Sequence, residues 1–177
     1  MNRVRAKKAP ALRAAAKALL QNEAHPFHDA WLEWRAKHPW ISEASLFQVL
    51  RREQEGQPWW TWPVEFRDRH ESAIEEFRSQ HVDSIRVREV LAFLFDHQWA
   101  RFLEAAESRG ILLFGDLPIY VSRDSADVWA NRSFFELDEK GLPHRVSGVP
   151  PDAFSDTGQL WGNPLYDWTR LAKDDYT

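Results

Sequence analysis

The fold class is decided by residues 111–121, which read Ile111-Leu112-Leu113-Phe114-Gly115-Asp116-Leu117-Pro118-Ile119-Tyr120-Val121. A nearly continuous apolar run, rather than alternation of apolar and polar residues, is typical of a strand covered on both faces in the parallel sheet of an α/β protein. Such a strand needs neighbours, because buried backbone groups without hydrogen bonds are costly. The chain offers only a weak second strand, at residues 145–149. The pattern therefore predicts an α/β fold whose sheet is completed by strands from elsewhere.

Helical periodicity dominates the residues that precede this strand. Apolar side chains recur every three or four positions in five segments, which are residues 10–20, 27–36, 43–54, 64–80 and 83–108. The last segment is the strongest, and Gly110 follows it as a C-cap signal. Residues 122–168 mostly predict turns and short helices.

Composition excludes several classes of function. The 177 residues are 44% hydrophobic and 28% charged, and the net charge of −4 lacks the basic excess of nucleic-acid or anionic-lipid binders. Without cysteine there are no disulfides or thiolate metal sites. His25 and His28 lack a third metal ligand, and no phosphate-binding glycine loop is present. We expect a soluble, cytoplasmic protein with no cofactor and no nucleic-acid or membrane partner.

The start of the chain is basic and free of acidic residues up to Glu23. This composition is compatible with an organellar transit peptide. We favour the alternative, a helix with a solvated cationic face that carries Arg3, Arg5, Lys7, Lys8, Arg13 and Lys17.

The sequence has 10 Trp and 11 Phe, an excess that calls for an explanation. Three tryptophans on or beside helical apolar stripes are predicted to be core residues: Trp31, Trp34 and Trp99. Three more form a cluster between Pro58 and Pro63: Trp59, Trp60 and Trp62. This cluster either lines a carbohydrate groove or staples a helical subdomain to its neighbour, and we favour the staple.

Two features suggest a binding site. Asp116 stands where the apolar strand ends, the position from which side chains of α/β barrels enter the active site, although it could equally cap the next turn. The loop 148–164 combines prolines and glycines with Phe154, Gln159 and Trp161. Flat apolar rings beside amide donors and acceptors suit sugars, although both aromatic residues could instead be core residues.

Three blocks of sequence, at residues 115–121, 124–131 and 148–168, closely resemble the 4-α-glucanotransferase (amylomaltase) family. A weaker resemblance extends upstream through residues 4–5, 8–13, 58–63 and 95–99, and so covers nearly the whole chain. It makes the basic start an internal family helix rather than a transit peptide.

The resemblance implies an α/β fold that is part of a (β/α)8 TIM barrel with an inserted, mainly helical subdomain. Residues 1–82 would then be a segment of the helical subdomain. Residues 83–177 would hold a helix, the barrel strand 111–121 and the active-site lid loop 148–164 of a truncated catalytic barrel.

The resemblance also implies an activity, the transfer of α-1,4-glucan segments between maltooligosaccharides through a covalent glycosyl-enzyme with retention of configuration. Asp116, Phe154, Gln159 and Trp161 match sugar-binding positions of the family, while the nucleophile and the acid/base are expected beyond Thr177. Ala153 stands where some members carry Tyr, so one aromatic contact is in doubt. A non-catalytic carbohydrate-binding module and an inert truncated gene product remain as alternatives.

Overall fold

The computed structural model describes the backbone of residues 2–176 and the side chains of residues 7–173 and 175–176. Eight α-helices are described: α1 Asn2–Leu20, α2 His28–Lys37, α3 Trp40–Glu53, α4 Val64–Arg67, α5 Glu71–Gln80, α6 Val82–Glu107, α7 Ala126–Ala130 and α8 Trp168–Leu171. The two described strands are β1 Val146–Val149 and β2 Gln159–Pro164. Short 3-10 turns lie at Trp59–Thr61, Arg132–Phe134 and Ala172–Asp174.

Most predicted helices are confirmed, and their ends have identifiable causes. Gly110 ends the α6 region in the left-handed conformation, at φ +69°. Its N–H donates to the carbonyl of Glu107 and that of Ile111 to Ala106, which is the Schellman pattern. The side chains of Arg3 and Arg5, part of the predicted cationic face of α1, lie outside the described residues.

The single helix predicted over residues 64–80 is instead two helices, α4 and α5. Arg69 between them has φ +58°, which ends α4. The guanidinium of Arg69 lies 4.1 Å from the ring centre of Trp129, a cation–π contact that holds the residue in this turn. Apolar periodicity carries no signal for such a break.

The chain divides into two compact units. Unit 1 comprises Met1–Val49 and Glu75–Asp116, and unit 2 comprises Leu50–Ile74 and Leu117–Thr177. In unit 1, α1 and α2 pack on α6 around a buried cluster of Ala16, Leu19, Trp31, Val90 and Phe93. Inside this helical unit, the buried Glu89 carboxylate accepts a hydrogen bond from Arg35 Nε at 2.7 Å.

The core predictions for the helical tryptophans hold in part. Trp31 is buried, and Trp34 packs against the core of unit 1 while its indole N–H donates to Asp96 at 2.7 Å. The prediction for Trp99 is wrong, because this side chain is 46% exposed. It lies on the second half of α6 beside the rings of Phe95 and Phe102, which are also exposed.

Unit 2 is organised around a tryptophan cluster, defined here as Trp59, Trp62 and Trp129. All three rings are buried, and each indole N–H donates to a backbone carbonyl. Trp62 and Trp129 meet edge to face, with ring centres 5.7 Å apart. Trp59 donates to the carbonyl of Arg123 at 2.6 Å. These contacts join residues 50–74 to the segment after residue 117, so the tryptophans connect two segments of the same unit.

Arginine side chains pack on Trp59 of the tryptophan cluster and on the neighbouring Trp60. Arg123 lies 3.7 Å over the ring of Trp60, and Arg132 lies 4.5 Å over Trp59. Arg132 also pairs with Asp68 at 3.0 Å. Hydrogen bonds from Arg67 and then Arg132 lower the pKa of Asp68 from 3.8 to about 2, against the opposing effect of burial.

Residues 111–121 form no strand in this structure, contrary to the sequence prediction. The described sheet consists of β1 and β2, and residues 111–118 have no regular secondary structure. The physical reason is the absence, among the described residues, of neighbouring strands to accept its backbone hydrogen bonds. The apolar side chains of residues 111–119 are exposed, Leu112 by 93%.

Among the described residues, no helix combines the length and the hydropathy required to cross a lipid bilayer.

Candidate functional site

The predicted loop 148–164 folds as a β-hairpin. Strand β1 confirms the weak strand predicted near residues 145–149, and it pairs antiparallel with β2. Gly148 lies opposite Leu160 and Val149 opposite Gln159, with an irregularity in register between Val146 and Gly148. Gln159 and Trp161 therefore belong to a strand rather than to a loop, and strand geometry fixes the direction of their side chains.

Close backbone packing shapes the connection between the two strands. Gly158 has φ +72°, and a Cβ atom there would lie 2.5 Å from the carbonyl oxygen of Val149. A larger residue would push the two chains of the hairpin apart. Glycine at this position therefore allows the chain just before β2 to pack closely against the end of β1.

The tip of the hairpin is ordered by Asp152. One of its carboxylate oxygens accepts the backbone N–H groups of Phe154 and Ser155, each at 2.8 Å. The Ser155 hydroxyl donates to the carbonyl of Gly158 at 2.8 Å. These bonds present Phe154 to solvent, with 94% of its surface exposed. Asp152 was not predicted as a site residue from the sequence, although Pro-Asp before a loop is a known turn signal.

Gln159 and Trp161 form the chemically most informative pair of the hairpin. They are two residues apart on β2, so their side chains leave the same face of the strand. The indole N–H of Trp161 donates to the side-chain oxygen of Gln159 at 3.1 Å. This bond leaves the amide NH2 of Gln159 free to donate, beside an indole ring that is 44% exposed.

Asp116 lies in the irregular segment and is exposed. It is the last residue of unit 1, whereas Phe154, Gln159 and Trp161 belong to unit 2. Gln159 and Trp161 are in contact, and Phe154 occupies the hairpin tip. Of the four predicted site residues, the structure thus joins two directly and leaves Asp116 in a different unit.

The structure adds Tyr120 to the candidate site. Its ring meets that of Trp161 edge to face, with centres 6.3 Å apart. Tyr120 belongs to the apolar run 111–121, and the sequence alone predicted no binding role for it. No local pattern links it to β2, because the contact depends on the tertiary fold.

In the part of the chain that the structure describes, no group of three or more His, Cys, Asp or Glu side chains could hold a metal ion. Tyr120, Gln159 and Trp161 together offer two aromatic rings and an amide, which are groups that bind neutral polar molecules.

Comparison with known proteins gives a consistent result. The 4-alpha-glucanotransferase family model matches residues 1–177. The chain is 42% identical over 173 residues to the chloroplastic/amyloplastic 4-alpha-glucanotransferase of Solanum tuberosum, covering 96% of this chain and 30% of that protein. It is 39% identical over 169 residues to the 4-alpha-glucanotransferase of Thermus thermophilus, covering 95% and 34%.

A solved structure shows the same local fold. The amylomaltase from Streptococcus agalactiae, in complex with acarbose, matches with a TM-score of 0.87 and 32% sequence identity. The match covers 96% of this chain and 34% of the amylomaltase. This chain therefore spans about a third of the length of these relatives.

Proposed function

Because this chain belongs to the 4-α-glucanotransferase family, we propose that it supplies the sugar-binding part of an enzyme that transfers α-1,4-glucan segments between maltooligosaccharides. The observation that carries this proposal is the pair on β2. The half-exposed ring of Trp161 offers a face for the C–H surface of a pyranose, and the adjacent Gln159 amide offers N–H donors to its hydroxyl oxygens. We expect acarbose, the ligand of the similar amylomaltase, to bind to the same hairpin.

Asp116 and Phe154 complete the proposed sugar contacts. Asp116 supplies a carboxylate that accepts hydrogen bonds from sugar hydroxyls, and its exposure is compatible with that role. Phe154 projects from a tip that Asp152 keeps ordered, so its ring can cover a bound sugar at little entropic cost. A hairpin that covers the site would also exclude water, which favours transfer to a sugar over hydrolysis.

The reaction itself requires a carboxylate pair, one as nucleophile and one as acid/base, about 5 Å apart in a retaining enzyme. We propose that both belong to the two thirds of the relatives' length that this chain does not span. This chain then binds and orients the glucan, and it needs no cofactor to do so.

We propose that the complete catalytic domain is a (β/α)8 TIM barrel, with residues 1–82 in a helical subdomain and residues 83–177 in the barrel. The apolar run 111–121 becomes a barrel strand when neighbouring strands pair with it. Its exposed apolar side chains, together with those on the second half of α6, support this proposal. We also propose a cytoplasmic location, although the potato relative is named a plastid protein.

Calorimetry of the chain with maltohexaose, and with the β-1,4-linked cellohexaose as control, tests the proposal. We expect saturable binding of maltohexaose, lost in Trp161→Ala, and no binding of cellohexaose. Equal heats for both sugars, or none for either, would refute sugar binding by this chain.

Activity gives a second test. We expect the chain alone to produce no glucose or longer oligomers from maltotriose, because we propose that the carboxylate pair belongs to the part of the enzyme that this chain does not span. In a longer enzyme that contains this sequence, Asp116→Ala should lower the transfer rate strongly without lowering the melting temperature, and wild-type kinetics in that variant would refute the role of Asp116.

A further inference from the structure

The indole of Trp161 makes a ring contact with one side chain and a hydrogen bond with another. Among the described residues, its ring contacts and hydrogen bonds are those with Tyr120 and Gln159. Gly162 follows it on β2 and contributes no side chain to either face. These two neighbours therefore supply directional contacts that orient the half-exposed ring.

Tyr120 and Gln159 restrain the indole in different ways. The Gln159 oxygen fixes the direction of the indole N–H, at 3.1 Å. The Tyr120 ring stands at 61° to the indole plane, with ring centres 6.3 Å apart, which is the edge-to-face geometry that aromatic pairs prefer. Tyr120 itself is only partly exposed.

We propose that Tyr120 is a positioning residue, whose ring holds the Trp161 indole in the orientation that stacks on a sugar. Tyr120 acts through the edge-to-face contact between its own ring and the Trp161 indole, so the Tyr120 hydroxyl is not required. The sugar part of this inference rests on the proposed function. The statement that Tyr120 orders Trp161 does not, and it can be tested without any sugar.

The first experiment measures the ligand-free chain labelled with 15N, using the indole N–H signals in the NMR spectrum. Trp161→Phe identifies the Trp161 signal by its loss. We expect Tyr120→Leu to shift that signal and to lower its heteronuclear NOE, which reports picosecond to nanosecond mobility. Tyr120→Phe should leave both unchanged. Unshifted signals of Trp59, Trp62 and Trp129 would show that unit 2 is still folded.

The second experiment measures the affinity of the same variants for maltohexaose. We expect Tyr120→Leu to weaken binding by about three- to tenfold, the range typical of one edge-to-face ring pair, and Tyr120→Phe to restore it. Tyr176→Leu, which removes an exposed tyrosine ring, is the matched control and should bind as the wild type does.

The outcomes separate the two proposals. A Trp161 signal that is unchanged in Tyr120→Leu overturns the positioning role, whatever the affinities. Equal loss of affinity in Tyr120→Phe and Tyr120→Leu also overturns it, because the hydroxyl would then matter. A wild-type chain that binds no maltohexaose refutes the proposed function, while the NMR measurement still decides whether Tyr120 orders the indole.

Discussion

Trp59, Trp62 and Trp129 are buried in unit 2 and donate their indole N–H groups to backbone carbonyls, whereas Trp161 of the same unit is 44% exposed and donates to a side chain. The buried rings are fixed by backbone that the fold already orders. Trp161 depends on two side chains and keeps part of its surface open. The same residue type thus stabilises the unit in one region and is available to a ligand in the other.

The largest effect on stability is expected from Trp129→Ala. Removing a fully buried tryptophan leaves a cavity and typically costs about 3–5 kcal/mol. Trp161→Ala, the matched variant in the hairpin, should cost less than about 1 kcal/mol. Urea unfolding followed by circular dichroism measures both values. Similar losses in the two variants would remove the distinction between the two regions.

Gly141→Ala tests how closely the backbone packs against the tryptophan cluster. Gly141 has φ +75°, and a Cβ atom there would lie 2.0 Å from Cη2 of the buried Trp59. Backbone strain and overpacking together predict a loss of about 2–4 kcal/mol. The control is Gly56→Ala, since Gly56 has φ +77° but nothing within 4 Å of the added atom. The unfolding free energy of Gly56→Ala should fall by only about 1 kcal/mol. Equal unfolding free energies for the two variants would contradict the role of packing against Trp59.

Acid should weaken the tryptophan cluster through Asp68. The pKa of this carboxyl is lowered from 3.8 to about 2 by Arg67 and Arg132, so its ion pairs stabilise the folded chain above pH 4. We expect a contribution of roughly 1–2 kcal/mol after allowance for partial exposure, lost as the pH falls from about 4 towards 2.

Asp68→Asn isolates this contribution, because it keeps the shape and removes the charge. The difference in unfolding free energy between wild type and variant should be full at pH 6 and shrink below pH 4. A difference that does not change with pH would show that Asp68 acts through hydrogen bonds alone.

The smallest effect on stability is expected from Phe154→Ala. Its side chain is 94% exposed, so the change in unfolding free energy should stay within about 0.5 kcal/mol. Affinity for maltohexaose should nevertheless fall in calorimetry, because the ring is proposed to cover the sugar. A stability loss comparable to that of Gly141→Ala would place Phe154 in the core instead.

The sequence predicted the helical part well because periodicity reports packing that is local to a helix. Residues 83–108 were predicted as one helix, and α6 spans Val82–Glu107. Arg69 was missed, because its left-handed turn is held by the distant ring of Trp129. The strand 111–121 was predicted from its continuous apolar run, and such a run does not provide the partner strands that a sheet requires.

The candidate site likewise has features that the sequence predicted and features that it did not. Phe154, Gln159 and Trp161 could be selected from residue type and family resemblance. The hairpin register, which brings Gln159 and Trp161 together, and the contact with Tyr120 could not, because both depend on segments that meet only in the folded unit. Whether Asp116 contacts a sugar stays a prediction.

The most direct test of the account is an NMR titration of the 15N-labelled chain with maltohexaose, observed at the indole N–H signals. We expect the Trp161 signal to move with added maltohexaose until saturation, while the signals of Trp59, Trp62 and Trp129 stay in place. A Trp161 signal that stays fixed at saturating sugar, or movement confined to the buried tryptophans, would contradict it.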